Sequence, residues 1–131
     1  MLHKPKPEKT ALPFHKKDSP GKRFLMADSD VFPGSNAFIT LRKINDLELK
    51  QAKDFVIQHK HNVDSYLMII GDSEELTGLE VEVFDGDKKS IVKSPASIFI
   101  PAGTEHYDKA LSGSGCIITI VLNGNYIKSL E

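Results

Sequence analysis

The chain has one cysteine, Cys116, so it cannot form an intramolecular disulfide and must be held together by a packed core. Long apolar runs are missing too. The longest, 66–70 and 116–122, fall far short of the roughly 20 residues that a membrane-crossing helix needs, and no membrane partner is expected. The opening Met1-Leu2-His3-Lys4-Pro5 lacks the apolar stretch of a secretory signal, which with the lone cysteine leads us to expect a cytoplasmic protein. Neither sign of charge is in excess: 17 Lys and Arg stand against 18 Asp and Glu. Nucleic acid is therefore not an expected partner. The sequence also has no GxxxxGK(S/T) phosphate loop, GxGxxG turn, GxSxG elbow or CxxC pair. These absences leave its histidines as the main carriers of chemistry.

At 131 residues the chain has the size of one domain with its own core. Its first part, 1–23, holds Lys4, Lys6, Lys9, Lys16, Lys17, Lys22 and Arg23 against only Glu8 and Asp18, and Pro5, Pro7, Pro13 and Pro20 interrupt regular structure. This predicts an extended basic N-terminal arm over 1–23 and a barrel domain over 24–131. The arm is either loosely ordered or laid across a partner subunit or an anionic ligand, with Leu12, Pro13 and Phe14 as an anchor. Beyond it, short apolar runs rich in β-branched residues are broken by Gly, Asp, Asn, Ser and Pro. The pattern predicts strands at 24–27, 37–44, 53–61, 65–70, 79–84, 90–93, 97–100, 106–110 and 116–122. Asp85-Gly86-Asp87 marks a tight hairpin, Ser112-Gly113-Ser114-Gly115 a turn, and only 72–77 a helical turn, which Gly78 stops. The fold class is all-β.

His59 and His61 flank Lys60 in a strand-like run, and side chains alternate along a strand, so both imidazoles share a face. If that face is interior, Phe55 and Ile57 share it and Lys60 points to solvent. Downstream stand Asp64 and Gly71, and then Pro101, Gly103 and His106.

In these residues the chain resembles the cupin superfamily. Its first motif, G(x)5HxH(x)3-4E(x)6G, is matched by His59, His61, Asp64 and Gly71; its second, G(x)5PxG(x)2H(x)3N, by Pro101, Gly103 and His106. Lys53 and Pro95 replace the leading glycines, Ala110 replaces the final Asn, and the acid is an aspartate one residue nearer His61 than the pattern has it. The resemblance implies a jelly-roll barrel, a double-stranded β-helix, with one metal centre at His59, His61, His106 and Asp64. Asp64 reaches a metal only if the chain turns sharply near Asn62, and water or Glu82 is the alternative. Three imidazoles and at most one carboxylate suit one divalent transition metal ion, Fe, Zn, Ni or Mn, and not calcium.

Tyr66, Arg42 and Tyr107 are further candidates for contact with a substrate. A guanidinium suits a carboxylate, but Ala37, Ile39 and Leu41 read as the buried face of its strand and turn Arg42 outward; the opposite parity puts Phe38, Thr40 and Arg42 inside. Tyr107 lies on the face opposite His106. His3 and His15 read as incidental, Cys116 as a small buried thiol, and Glu82 and Glu105 as acids without an assigned role. The expected function is a metal-binding cupin protein that binds or acts on a small organic molecule, one bearing a carboxylate among the options. A metal-dependent dioxygenase, isomerase, decarboxylase or lyase, a binding or sensing module, and a structural dimer without metal all fit the resemblance. It also implies a homodimer.

Overall fold

Alternation of apolar residues over short runs builds, among the described residues, seven strands: β1 (Lys22–Ala27), β2 (Phe38–Leu47), β3 (Ser65–Gly71), β4 (Leu79–Asp85), β5 (Lys88–Lys93), β6 (Ala96–Ile100) and β7 (His106–Val121). The computed structural model describes residues 1–9, 12–16 and 19–131. All pairings between strands are antiparallel, in the order β1-β2-β7-β3-β6, with β4 joining β7 on one side and β5 on the other. The arrangement is a jelly roll.

β7 belongs to both walls of the barrel. Its first half pairs with β4, from Asp85 opposite His106 to Leu79 opposite Gly113, and its second half lies between β2 and β3. The turn expected at 112–115 is instead a bend within this 16-residue strand. Gly113 makes the bend possible, since it has φ of 102° and a Cβ there would lie 1.9 Å from the Gly78 carbonyl oxygen. The hairpin at Asp85-Gly86-Asp87 forms as expected, between β4 and β5.

Cross-strand registers place side chains in rows. Phe38, Val121, Ser65 and Ile100 make one inward row, and Thr40, Thr119, Leu67 and Ile98 the next. Deeper in lie Ile44, Ile69, Leu79 and Val81, all buried. The phase of β2 is thus the reverse of the expected one: Phe38, Thr40, Arg42 and Ile44 face inward, and Ile39 and Leu41 face outward. The physical reason is that the outer face is apolar as well. Phe24, Leu41, Ile118 and Met68 form one outer row, and Ile39, Ile120, Tyr66 and Phe99 another.

The expected strand at 53–61 does not form. Isolated bridges take its place, joining Val56 to His15, His59 to His106 and His61 to Leu130. The alternation slips within it, because Phe55 and Val56 are both buried while Ile57 is 49% exposed. Residues 72–77 form turns without a helix. Helical turns occur at Leu49–Gln51, of the 3-10 type, and in α1 (Tyr126–Ser129), capped by the Asn125 side chain accepting the Lys128 N–H. No helix among the described residues is long and apolar enough to cross a membrane.

Some described residues of the first 23 make contacts along the chain, while Met1 and Leu2 are exposed. His3 Nε2 reaches the Leu25 carbonyl at 2.9 Å, the Glu8 N–H donates to the Arg23 carbonyl, and the Lys16 N–H to the Phe55 carbonyl.

Candidate metal centre

Three histidines from two distant parts of the chain meet at one end of the barrel. The backbones of His59 and His106 exchange hydrogen bonds, His59 N–H to His106 O at 3.1 Å and His106 N–H to His59 O at 2.9 Å. His61 follows two residues on, and its carbonyl accepts the Gly103 N–H at 2.7 Å. Gly103 has φ of 81°, and this turn carries the chain from β6 back to His106. All three imidazoles are buried, and one ring nitrogen from each lies within 4.8 Å of the others.

The second nitrogen of each ring is held. The Nδ1–H groups of His59 and His106 donate to the carbonyls of Ile57 (2.7 Å) and Thr104 (2.9 Å). His61 Nδ1 pairs with Ser129 Oγ at 2.9 Å, and Ser129 spends its own proton on the Tyr126 carbonyl at 2.6 Å. A carbonyl only accepts, as does a hydroxyl whose proton is committed, so each Nδ1 carries the proton and each Nε2 keeps its lone pair. Burial removes the water that would stabilise an imidazolium. It pushes His59 down to about 4 and His61 to about 3, the neighbouring imidazoles adding to the effect at His61, and lowers His106 as well. The cluster is neutral at pH 7, the state in which imidazole binds metal.

Other groups complete the pocket. Tyr126 Oη lies 3.4 Å from His59 Nε2. His15, read from the sequence as incidental, is placed by its bridge to Val56 with its ring 5.9 Å from that of His59 and 6.0 Å from Tyr126. Its Nδ1 donates to the Pro13 carbonyl, and burial lowers it to about 4. Phe14 stacks on His59 at 5.4 Å. The cavity, partly open to solvent, measures about 30 Å³ and is lined by His15, Thr40, Ser65, Asp108, Thr119 and Tyr126 besides the cluster. Asp108 lies two residues beyond His106 on the same face of β7, and burial raises its carboxyl to about 6 against the pull of Arg42. His15, Asp108, Tyr126 and Ser129 had no spacing signal that tied them to the HxH pair.

Of the remaining candidates Tyr66 and Tyr107 also border this cavity, whereas Asp64, Glu82 and Arg42 do not line it. Asp64 is not in the cluster: its Oδ1 accepts the Ala102 N–H at 2.9 Å, so the carboxylate holds the 101–103 turn. Glu82 Oε2 accepts the Tyr107 hydroxyl at 2.9 Å, which occupies both groups on the outer side of β4 and β7. Tyr66 is 37% exposed, with its ring against Phe99. Arg42 is buried, contrary to expectation, but donates to the Pro20 carbonyl at 3.1 Å with its guanidinium over Phe55 at 4.7 Å. Arg23, opposite Arg42, pairs with Glu8 at 3.1 Å. Cys116 is half-buried on the outer face.

No family model matches the sequence, and no curated protein matches it. Among solved structures the chain is similar to oxalate decarboxylase from Bacillus subtilis, a cupin. The structure at pH 4.6 aligns with a TM-score of 0.56 and 16% identity, over 89% of this chain and 29% of that chain. A second structure, concerned with the Mn(II) centers of the same enzyme, aligns with a TM-score of 0.54 and 14% identity, over 88% and 29%. The chain therefore spans less than a third of the length of these neighbours. Strand order, barrel and likeness agree, and the chain has the cupin fold.

Proposed function

We propose that this is a metal-binding protein that holds one divalent transition metal ion, Fe, Zn, Ni or Mn, on His59, His61 and His106, and binds a small organic molecule beside it. The observation that carries this reading is the fixed tautomer of the cluster: three buried, neutral rings, each with Nδ1 engaged by an acceptor and Nε2 left as a lone pair. Three neutral nitrogen donors leave an ion its positive charge and open positions, and a bound ion would supply Lewis acidity there. His15 and Tyr126 face the same space and would exclude bulk water from it.

A homodimer belongs to the proposal. The outer rows of the β1-β2-β7-β3-β6 sheet are apolar across several strands, with Phe99 48% exposed and Tyr66 37% exposed beside Ile39 and Ile120. A contiguous apolar sheet face of this kind fits an isologous contact with a second copy.

Co(II) reports the centre directly. Added to metal-free protein, it should give the intense visible bands of an ion with few, nitrogen-rich ligands, at one equivalent per chain. A spectrum no different from aqueous Co(II) would overturn the reading.

A further inference from the structure

We propose that His15 is the fourth ligand of the centre, an imidazole supplied by the N-terminal arm, whose Nε2 joins those of His59, His61 and His106 when an ion is bound. The inference rests on the metal reading above and adds to it a nitrogen where the cupin motif has an acid.

His15 is built in the same way as two of the ligands. Its Nδ1 pairs with the carbonyl of the residue two before it, Pro13, at 2.9 Å, as His59 does with Ile57 at 2.7 Å and His106 with Thr104 at 2.9 Å. A carbonyl only accepts, so Nδ1 carries the proton and Nε2 keeps its lone pair. Among the described residues nothing donates to that lone pair, and no interaction of His15 goes unnamed. A ring with one nitrogen tied to a carbonyl and the other left open is the arrangement that orients metal-binding histidines.

The arm brings this ring to the centre. The Lys16 N–H donates to the Phe55 carbonyl at 2.8 Å and the Ile57 N–H to the Phe14 carbonyl at 2.7 Å, which seats residues 14–16 along the segment that leads into His59. His15, opposite Val56, lines the cavity with it, and Phe14 stacks on the His59 ring at 5.4 Å. The His15 ring stands 5.9 Å from that of His59, against 4.5, 5.0 and 5.2 Å between the rings of the cluster. Its nitrogen is outside the group that lies within 4.8 Å, so ligation needs a short inward swing of this one side chain.

The acids read from the sequence do not supply the position. Asp64 and Glu82 accept from the Ala102 N–H and the Tyr107 hydroxyl, and neither lines the cavity. Four neutral nitrogens suit Zn(II), Ni(II) or Fe(II) better than the oxygen-preferring Mn(II), and they leave an open position on an ion that takes five or six ligands.

Co(II)-loaded protein counts the ligands. Each imidazole bound through Nε2 gives one set of hyperfine-shifted ring signals in the proton NMR spectrum, far outside the diamagnetic range. We expect four sets in the wild type and three in His15→Ala, whose circular dichroism should be unchanged. The variant's Co(II) affinity should be lower by about tenfold or more, since losing a ligand costs at least as much as losing its supporting contact. A His15 that only covers the site would alter affinity but leave three sets in both proteins, which overturns the inference and keeps the three-histidine centre. Four sets that persist in His15→Ala overturn it as well. A spectrum without shifted signals would remove the metal reading and this inference with it.

Discussion

Both faces of the β1-β2-β7-β3-β6 sheet are largely apolar, and it is the inner one that also carries buried polar side chains. At its open end the inner face carries Ser65, Thr40 and Thr119, and further in Arg42, whereas the outer face carries Leu41, Ile118, Met68, Ile39, Ile120 and Phe99. Polar side chains are tolerated inside where they border a cavity or have a partner, and the apolar outer rows are what the proposed second copy would cover. The lesson is that polarity identifies what a face touches, and not whether it lies inside.

The largest effect should come from breaking the inner face at its ligands. His106→Ala should lower metal affinity about 100-fold or more, read by competition with a chelator, while circular dichroism shows an intact barrel, because the core of Ile69, Val81, Leu79 and Ile44 lies away from the cluster. Loss of the folded spectrum would contradict that separation. Breaking the outer face should do the converse. Ile118→Glu, in the middle of the apolar rows, should shift the protein from dimer to monomer in light scattering and leave its metal content unchanged.

A smaller effect sharpens the tautomer argument. Ser129→Ala removes the acceptor of His61 Nδ1–H, frees that ring to place its proton on either nitrogen, and should weaken metal binding about tenfold. If the affinity is unaltered, the ring does not depend on that hydrogen bond.

The smallest is a pH dependence of the metal-free protein. His59, His61 and His15 have folded values of about 4, about 3 and about 4, below the ordinary 6.5. The unfolded chain therefore binds protons first, so the stability present above about pH 6.5 declines as pH falls through 4 toward 3. Asp108 acts in the opposite sense: with a folded value raised to about 6 from 3.8, its cost grows as pH rises across that interval. Three histidines outweigh one carboxylate, so denaturant midpoints should fall on acidification from pH 7 to 4. A midpoint that rises over this range would mean the imidazoles are not desolvated as the packing requires.

The barrel was legible because short alternating runs, the Asp85-Gly86 turn and the near absence of helix signals all point to antiparallel strands. The convergence of His59, His61 and His106 was legible from two local spacings, HxH and PxGxxH, each of which fixes a piece of backbone. The phase of β2 was not, since Ile39 and Leu41 are as apolar as a core and cover the outer face. The strand expected at 53–61 failed because the alternation slips at Val56 and Ile57. Asp64 was assigned to the centre by its sequence position, while its short side chain caps the neighbouring turn. His15, Asp108, Tyr126 and Ser129 reach the cavity only through tertiary packing, and no pattern in one dimension connects Asn125-capped α1 with residue 61.

The central claim is that three neutral imidazoles hold an ion. Elemental analysis of the untagged protein, purified without chelator, tests it most directly beside a His59→Ala/His61→Ala variant. Near one transition-metal ion per chain in the wild type and none in the variant is the predicted result. Metal retained by the variant, or none in the wild type even after reconstitution, would contradict it.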